Sequence, residues 1–245
     1  MQDTIFAKSQ QHIVDFAFDE AVVDVFPDMI RRSVPGYELV IPMGGLIAAR
    51  HMNCGATAFD LGCSLGASSL ALLSQCNKSD VRIVGVDNSS AMIDQARRTI
   101  NDPRMSFRCE DLMKTDISGA RVVMLNFVVQ FLDPEDRDQL LTDIAQQMDP
   151  AGLLLLSEKV QDPNSDQQRF FDSTHLAWKR ANGYSEMEVS QKRQALENVM
   201  RVETPEKHTQ RLSNAGFQHI VPWFMCMNWV SFAASPTQVL HDPSE

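Results

Sequence analysis

The chain has 245 residues and a net charge of −10, with 32 acidic against 22 basic side chains. Such a field repels phosphate, which counts against a large nucleic-acid partner and favours a small metabolite. An apolar content of 44% supports a sizeable core in one large domain. No apolar run of the ~18 residues needed to span a bilayer is present. The first residues include Gln2, Asp3 and Lys8 and no apolar h-region, so no signal peptide is expected. Cys54, Cys63, Cys76, Cys109 and Cys226 are scattered without a CxxC pair, the pattern of a reduced, cytoplasmic protein. His51 and Cys54 lie three apart with no second ligand pair, so no metal site is expected.

Residues 1–56 are expected to form a helical cap, with helices near 20–30 and 38–52 separated by Val34-Pro35-Gly36-Tyr37. Apolar, β-branched runs without polar alternation follow at 57–60, 82–87, 105–109, 122–126 and 153–158. They suit parallel strands buried on both faces. Helical patterns fill the gaps. Met92, Ile93, Ala96 and Ile100 share one face. Asp133-Pro134-Glu135-Asp136 reads as an N-cap, a first-position proline and first-turn acids of a helix running to about 148. Residues 160–203 form a polar insertion, in which Ser185 and Glu188 fit a capping box opening a helix to about 200. Thr204-Pro205 opens the next helix, and Ala215-Gly216 ends it. Strands near 219–224 and 227–233 close the sheet as a hairpin, and 235–245 is expected to be a loose tail. These elements predict an α/β, doubly wound, mostly parallel seven-stranded sheet of the class I methyltransferase type. Its ligand should lie over the carboxyl ends of strands 1 and 4.

The stretch Asp60-Leu61-Gly62-Cys63-Ser64-Leu65-Gly66 carries the strongest signal. An acid ends the first strand, and two glycines allow a sharp turn with close approach of a ligand. Ser64 stands where a dinucleotide fingerprint has its second glycine, so S-adenosylmethionine fits better than a dinucleotide. Asp87 ends the second strand 21 residues after Gly66. That is the position of a carboxylate for a ribose diol, with helix capping as the structural alternative. Asp60 either orients the ligand's amino group or caps the turn. Asp111 suits an exocyclic amine of adenine, although Glu110 beside it allows a solvated acidic pair. Asn126 closes an apolar strand and must find either the ligand or a neighbouring backbone. Arg193 falls in line with Val189, Leu196 and Met200, and such a guanidinium needs an anion. Glu197 and a bound carboxylate are the two candidates. No Ser-His-Asp, Cys-His or other constellation supplies a general base.

Several segments together resemble the bacterial carboxy-S-adenosyl-L-methionine synthases. They include Val25-Phe26-Pro27-Asp28-Met29-Ile30, Arg32-Ser33-Val34-Pro35-Gly36-Tyr37 and the Asp60–Ala67 turn. Leu156-Ser157-Glu158-Lys159, Lys179-Arg180-Ala181-Asn182-Gly183-Tyr184-Ser185-Glu186 and Ser190-Gln191-Lys192-Arg193 continue the likeness, which spans about 15–233. The resemblance implies that S-adenosylmethionine is a substrate and that prephenate gives up a carboxyl group to its methyl carbon. The products would be phenylpyruvate and carboxy-S-adenosylmethionine, the latter feeding wobble-uridine modification of tRNA by a separate enzyme. It further implies ligand contacts from Tyr37, Gly62, Cys63, Ser64, Asp87, Asn88, Asp111, Leu112, Asn126 and Arg193. Arg193 would hold the new carboxylate. No metal and no direct tRNA contact are implied, and a homodimer is expected from apolar helix faces in 1–56 and 160–203. On charge alone, Lys192, Arg180 and Arg32 are candidates for prephenate. The alternatives are a methyltransferase acting on a small acid or tRNA, and a non-catalytic S-adenosylmethionine-binding subunit.

Overall fold

The computed structural model describes residues 1–7, 16, 18–197, 199–237 and 240. Seven strands form one sheet in the order β3-β2-β1-β4-β5-β7-β6. The first five are β1 (Thr57–Leu61), β2 (Arg82–Asp87), β3 (Met105–Cys109), β4 (Val122–Asn126) and β5 (Leu153–Lys159), all parallel. The hairpin β6 (His219–Cys226) and β7 (Trp229–Ser235) closes the edge, with β7 antiparallel to β5. The doubly wound, mostly parallel sheet expected from the apolar runs is present.

Each central strand feeds two cores because alternate side chains leave opposite faces. On β4, Val123 and Leu125 pack with Leu140 and Leu141 of α6 (Pro134–Gln147) and Leu212 of α9 (Pro205–Ala215). Val122 and Met124 pack with Ala48 and Ala49 of α3 (Tyr37–His51) and Leu72 of α4 (Ala67–Gln75). Burying each such aliphatic side chain contributes roughly 1.5–3 kcal/mol. α5 (Ser90–Thr99) buries Met92, Ile93 and Ala96, as its periodicity required. Among the described residues no helix is long and apolar enough to cross a membrane.

Three expectations need correction. The helix expected near 20–30 is two, α1 (Glu20–Val23) and α2 (Phe26–Ser33). Pro27 lacks an N–H and fits only a first turn, so α2 must begin there. A further helix, α7 (Ser165–Ala181), precedes the expected capping box. Its buried residues are His175 and Lys179, so no apolar stripe announces it. The chain end is not loose where it is described. Ser235 is buried in β7, and Thr237 bonds the Pro150 carbonyl through N–H and Oγ1 at 3.1 and 2.7 Å. Residues 238–239 and 241–245 lie outside the described residues.

The capping box is realised at α8 (Glu186–Glu197): Ser185 N–H donates to Glu188 Oε2 at 2.7 Å, and Glu188 N–H returns to Ser185 Oγ at 3.3 Å. Buried Arg137 of α6 anchors the end of the insertion. It donates to Glu203 at 2.6 Å and to the Arg201 carbonyl at 2.8 Å. Burial alone would raise the Glu203 pKa, but hydrogen bonds from Arg211 and Arg137 outweigh it and hold the carboxyl at about 2.

Two adjacent glycines of α3 test how tightly the layers meet. A Cβ on Gly45 would lie 2.5 Å from the carbonyl carbon of Ala71 in α4, whereas on Gly44 it would reach only side chains, at 3.8 Å or more. Gly45→Ala should cost about 1–3 kcal/mol by overpacking. Gly44→Ala should stabilise by about 0.5–1 kcal/mol through helix propensity. Urea midpoints at constant m check this, and shifts in the same direction would contradict the packing.

Candidate active site

A cavity of about 590 Å³ opens over the carboxyl ends of β1, β2 and β4. Its floor is the turn after β1, where Gly62, Ser64 and Gly66 all take positive φ, at 75°, 49° and 82°. Gly62 is required here, since a Cβ would meet Val128 Cγ2 at 2.4 Å. The N–H groups of Gly62 and Cys63 both donate to the Val86 carbonyl, at 2.8 and 2.9 Å.

Asp87 clamps this turn to the next one. Its Oδ2 accepts the Ser64 N–H and its Oδ1 the Ser89 N–H, each at 2.9 Å. Ser89 itself caps α5 by accepting the Met92 N–H. Burial raises the Asp87 pKa, and the two N–H donors oppose that. Each carboxylate oxygen keeps a free lone pair for a further donor, and Asp87 and Asn88 both line the cavity.

Asp111, Leu112, Asn126 and Tyr37 join them in the lining. Asp111 caps a 3₁₀ turn through the Met113 N–H at 3.0 Å, while Glu110 is turned to Thr115. Asn126 donates to Ser68 Oγ at 2.9 Å, so its partner is a neighbouring hydroxyl. Tyr37 begins α3, and burial followed by the Asp60 charge pushes its phenol pKa up. The wall from Phe127 to Leu132 is held by buried Glu158, which accepts the N–H groups of Val129 and Gln130 at 2.8 and 3.0 Å. Phe127 sits at φ 64°, a left-handed conformation costing about 1–3 kcal/mol in a bulky residue.

Two expected residues sit elsewhere. Asp60 is buried beneath the floor and outside the cavity lining. Its Oδ2 accepts both the N–H and Oγ of Ser69, at 3.0 and 2.6 Å, which is the capping alternative. Burial raises its pKa to about 6. Arg193 is exposed, not on an inward face. The buried face of α8 is rotated toward Gln191, Lys192 and Ala195, because a cavity lies there to take the Lys192 head. The Glu197 side chain, its other candidate partner, lies outside the described ones. Of the three charges considered for prephenate, only Lys192 lines the cavity. Arg32 is fixed on Asp28 and the Asn182 carbonyl, and Arg180 pairs with Glu186.

The far end of the cavity holds residues that pattern reasoning missed: Lys159, Lys179, His175 and Trp229. Lys159 ends β5 just as Asp87 and Asn126 end β2 and β4, so the strand-end rule applied to it as well. Nothing in the polar sequence of α7 distinguished Lys179 and His175 from solvated residues. The cavity thus has an acid-and-amide end suited to a nucleoside and a cationic end suited to an anion. Among the described residues, no cluster of three or more His, Cys, Asp or Glu side chains is placed to hold a metal.

A family model described as a methyltransferase domain matches residues 58–152, from β1 to the start of β5. Among solved structures, an O-methyltransferase family protein from Burkholderia thailandensis superposes with a TM-score of 0.66. It is 16% identical, over 90% of this chain and 61% of that one. Human N-acetylserotonin methyltransferase in complex with SAM gives 0.59 at 16% identity, over 89% of this chain and 56% of that one. At these identities the likeness concerns the fold. The carboxy-S-adenosyl-L-methionine synthase of Shewanella oneidensis is 47% identical over 95% of this chain and 98% of its own length. Likeness of that extent reaches both the turn and the insertion, and the chain belongs to the carboxy-S-adenosyl-L-methionine synthase family.

Proposed function

We propose that prephenate supplies the carboxyl group. Prephenate loses CO2 and hydroxide to become phenylpyruvate, the hydroxide takes a proton from the sulfonium methyl, and the resulting ylide carbon bonds the CO2. The observation that carries this reading is a single cavity joining the nucleoside end at Asp87 to buried lysines. The sulfonium stabilises the adjacent carbanion, so the protein's task is to orient two substrates and keep water out. That accords with a sequence in which no general base stands out.

In this reading Asp87 accepts the ribose hydroxyls, Asp111 the adenine amine, and Asn126 and Tyr37 flank the methionine portion. Gly62, Cys63, Ser64, Asn88 and Leu112 contact the nucleoside through the turns. Arg193 takes the transferred carboxylate from the rim. Its charge acts on both Lys159 and Lys179 of the lining, which supports that position. Residues 1–56 and 160–203 serve as cap and insertion of a single domain. The product passes to a separate enzyme of wobble-uridine tRNA modification in the cytoplasm, with no direct tRNA contact. The protein works as a homodimer: Leu39, Met43 and Leu46 form an exposed apolar row on α3, and Phe170 and Trp178 are exposed on α7.

Incubation with S-adenosylmethionine and prephenate should yield a nucleoside heavier by one CO2. S-adenosylhomocysteine as the product would instead indicate methyl transfer, and an unchanged nucleoside a binding subunit. Asp87→Ala should weaken S-adenosylmethionine by roughly 1.5–3 kcal/mol for a lost charged acceptor, and unchanged affinity by calorimetry would refute the ribose assignment. Arg193→Ala should weaken carboxy-S-adenosylmethionine by roughly 1.5–3 kcal/mol more than S-adenosylmethionine, with Arg193→Lys recovering part. Equal weakening of the two ligands would remove Arg193 from carboxylate recognition. Sedimentation should give twice the 27.5 kDa chain mass at micromolar concentration. A species of single-chain mass would exclude the dimer.

A further inference from the structure

The cationic end of the cavity carries more charge than the fold neutralises. Lys192 is matched: its Nζ lies 2.8 Å from Ser33 Oγ, 3.3 Å from the Tyr184 hydroxyl and 3.6 Å from buried Asp3. Arg32 is matched by Asp28. Lys159 of β5 lies with Nζ 5.5 Å from the centre of the Trp229 ring, and among the described residues the acid acting on it is Asp172 of α7. Lys179 of α7 is only 8% exposed, yet among the described residues its ammonium makes no hydrogen bond or ion pair. Among the described residues, the charges that act on it are Lys192 of α8, Lys159 of β5 and Arg193 of α8, all cationic. Burial and these three charges lower its pKa to about 7. His175, one turn before it, is driven to about 3 by burial and neighbouring lysines and so adds no charge at neutral pH. Among the described residues, Lys159, Lys179, Lys192 and the exposed Arg193 thus share this end with Asp3 and Asp172, apart from the matched Arg32–Asp28 pair.

A buried cation without a counter-ion costs stability. Packing gives no reason to keep it, since an apolar residue at 179 would fill the same space. A bound dianion would offset this positive excess and favour the charged form of Lys179. Trp229 offers a flat apolar wall beside the pair, with its ring 4.6 Å from that of His175 and its backbone in register with Lys159.

We infer that Lys159 and Lys179 hold the carboxylates of the second substrate, in a dicarboxylate subsite walled by Trp229 and separate from the nucleoside end. The inference rests on the proposed reaction for the identity of that substrate, prephenate. It assigns the donor's anions to the lysine pair and leaves Arg193 for the transferred group. Lys192, already neutralised by Asp3, is the structural member of the cluster.

The test separates binding from turnover. Prephenate is titrated by calorimetry into protein saturated with S-adenosylhomocysteine, which has no sulfonium methyl to react. Lys179→Met and Lys159→Met should each weaken prephenate about tenfold or more. They should leave S-adenosylhomocysteine affinity unchanged and weaken phenylpyruvate, a monoacid, less than prephenate. Lys179→Arg should recover part of the loss. The melting temperature of Lys179→Met should hold or rise, because an unneutralised buried charge has been removed; a structural lysine would lower it. Unchanged prephenate affinity in both variants would overturn the subsite, as would a loss shared equally with the nucleoside and accompanied by a lower melting temperature. Absence of any prephenate binding by the wild type would overturn it too. Lysine-dependent binding without a carboxylated product in the wild type would sustain the subsite and refute the proposed reaction. Turnover by the wild type with normal binding in both variants would do the reverse.

Discussion

The two oxygens of Asp87 hold the cavity floor together. One fixes the left-handed turn after β1 through Ser64, and the other fixes the start of α5 through Ser89. Without that clamp the turn would have to hold three positive φ values within five residues unaided, Ser64 among them. A serine pays for the left-handed region where a glycine would not, and a charged acceptor on its N–H offsets the cost. The N–H partners of Asp87 use one lone pair of each oxygen and leave the other for a further donor.

The same logic of strand ends runs across the sheet. The penultimate residue of β1, Asp60, holds α4 through Ser69, and β4 ends in an amide that bonds Ser68. Near the end of β5, Glu158 accepts from the wall at Val129 and Gln130, and the last residue, Lys159, lines the cavity. Asp60, Asn126 and Glu158 are each paired within the fold, so this part of the rim is shaped before any ligand arrives. A rim shaped in this way suits a reaction in which two substrates must be aligned and water excluded.

The cap and insertion add positive charge to that of Lys159 on the sheet. Asp3, Arg32, Tyr184 and Lys192 form a buried knot that ties the first residues of the chain to α2 and α8. Arg137 and Arg211 tie the far end of the insertion to the sheet's helices through Glu203. With both ends anchored, α7 and α8 lie against the cavity mouth and deliver Lys179 and Lys192 to it. The acidic surface of the chain and the basic interior of the cavity are thus compatible: the net charge of −10 describes the whole molecule and not its site.

Much of this was legible in the residues alone. Strands buried on both faces have to be apolar throughout, so β1, β2, β4 and β5 stood out and their ends located Asp87, Asn126 and the turn between Asp60 and Gly66. Glycine where a side chain would strike Val128 marked the floor. The capping box named the start of α8, since its two hydrogen bonds are local. Tertiary structure alone decided the rest, because a polar residue facing a cavity has the same sequence pattern as one facing solvent. That is why no pattern marks α7 or Lys179, and why the apolar stripe places Arg193 inward although the buried face of its helix is rotated toward Lys192. Asp60, expected at the ligand, proves to be a cap because packing places Ser69, nine residues on, against it. The sequence determined where the chain must be apolar and where it must turn; which charges meet, and which are left without a partner, depended on packing between segments far apart in the chain.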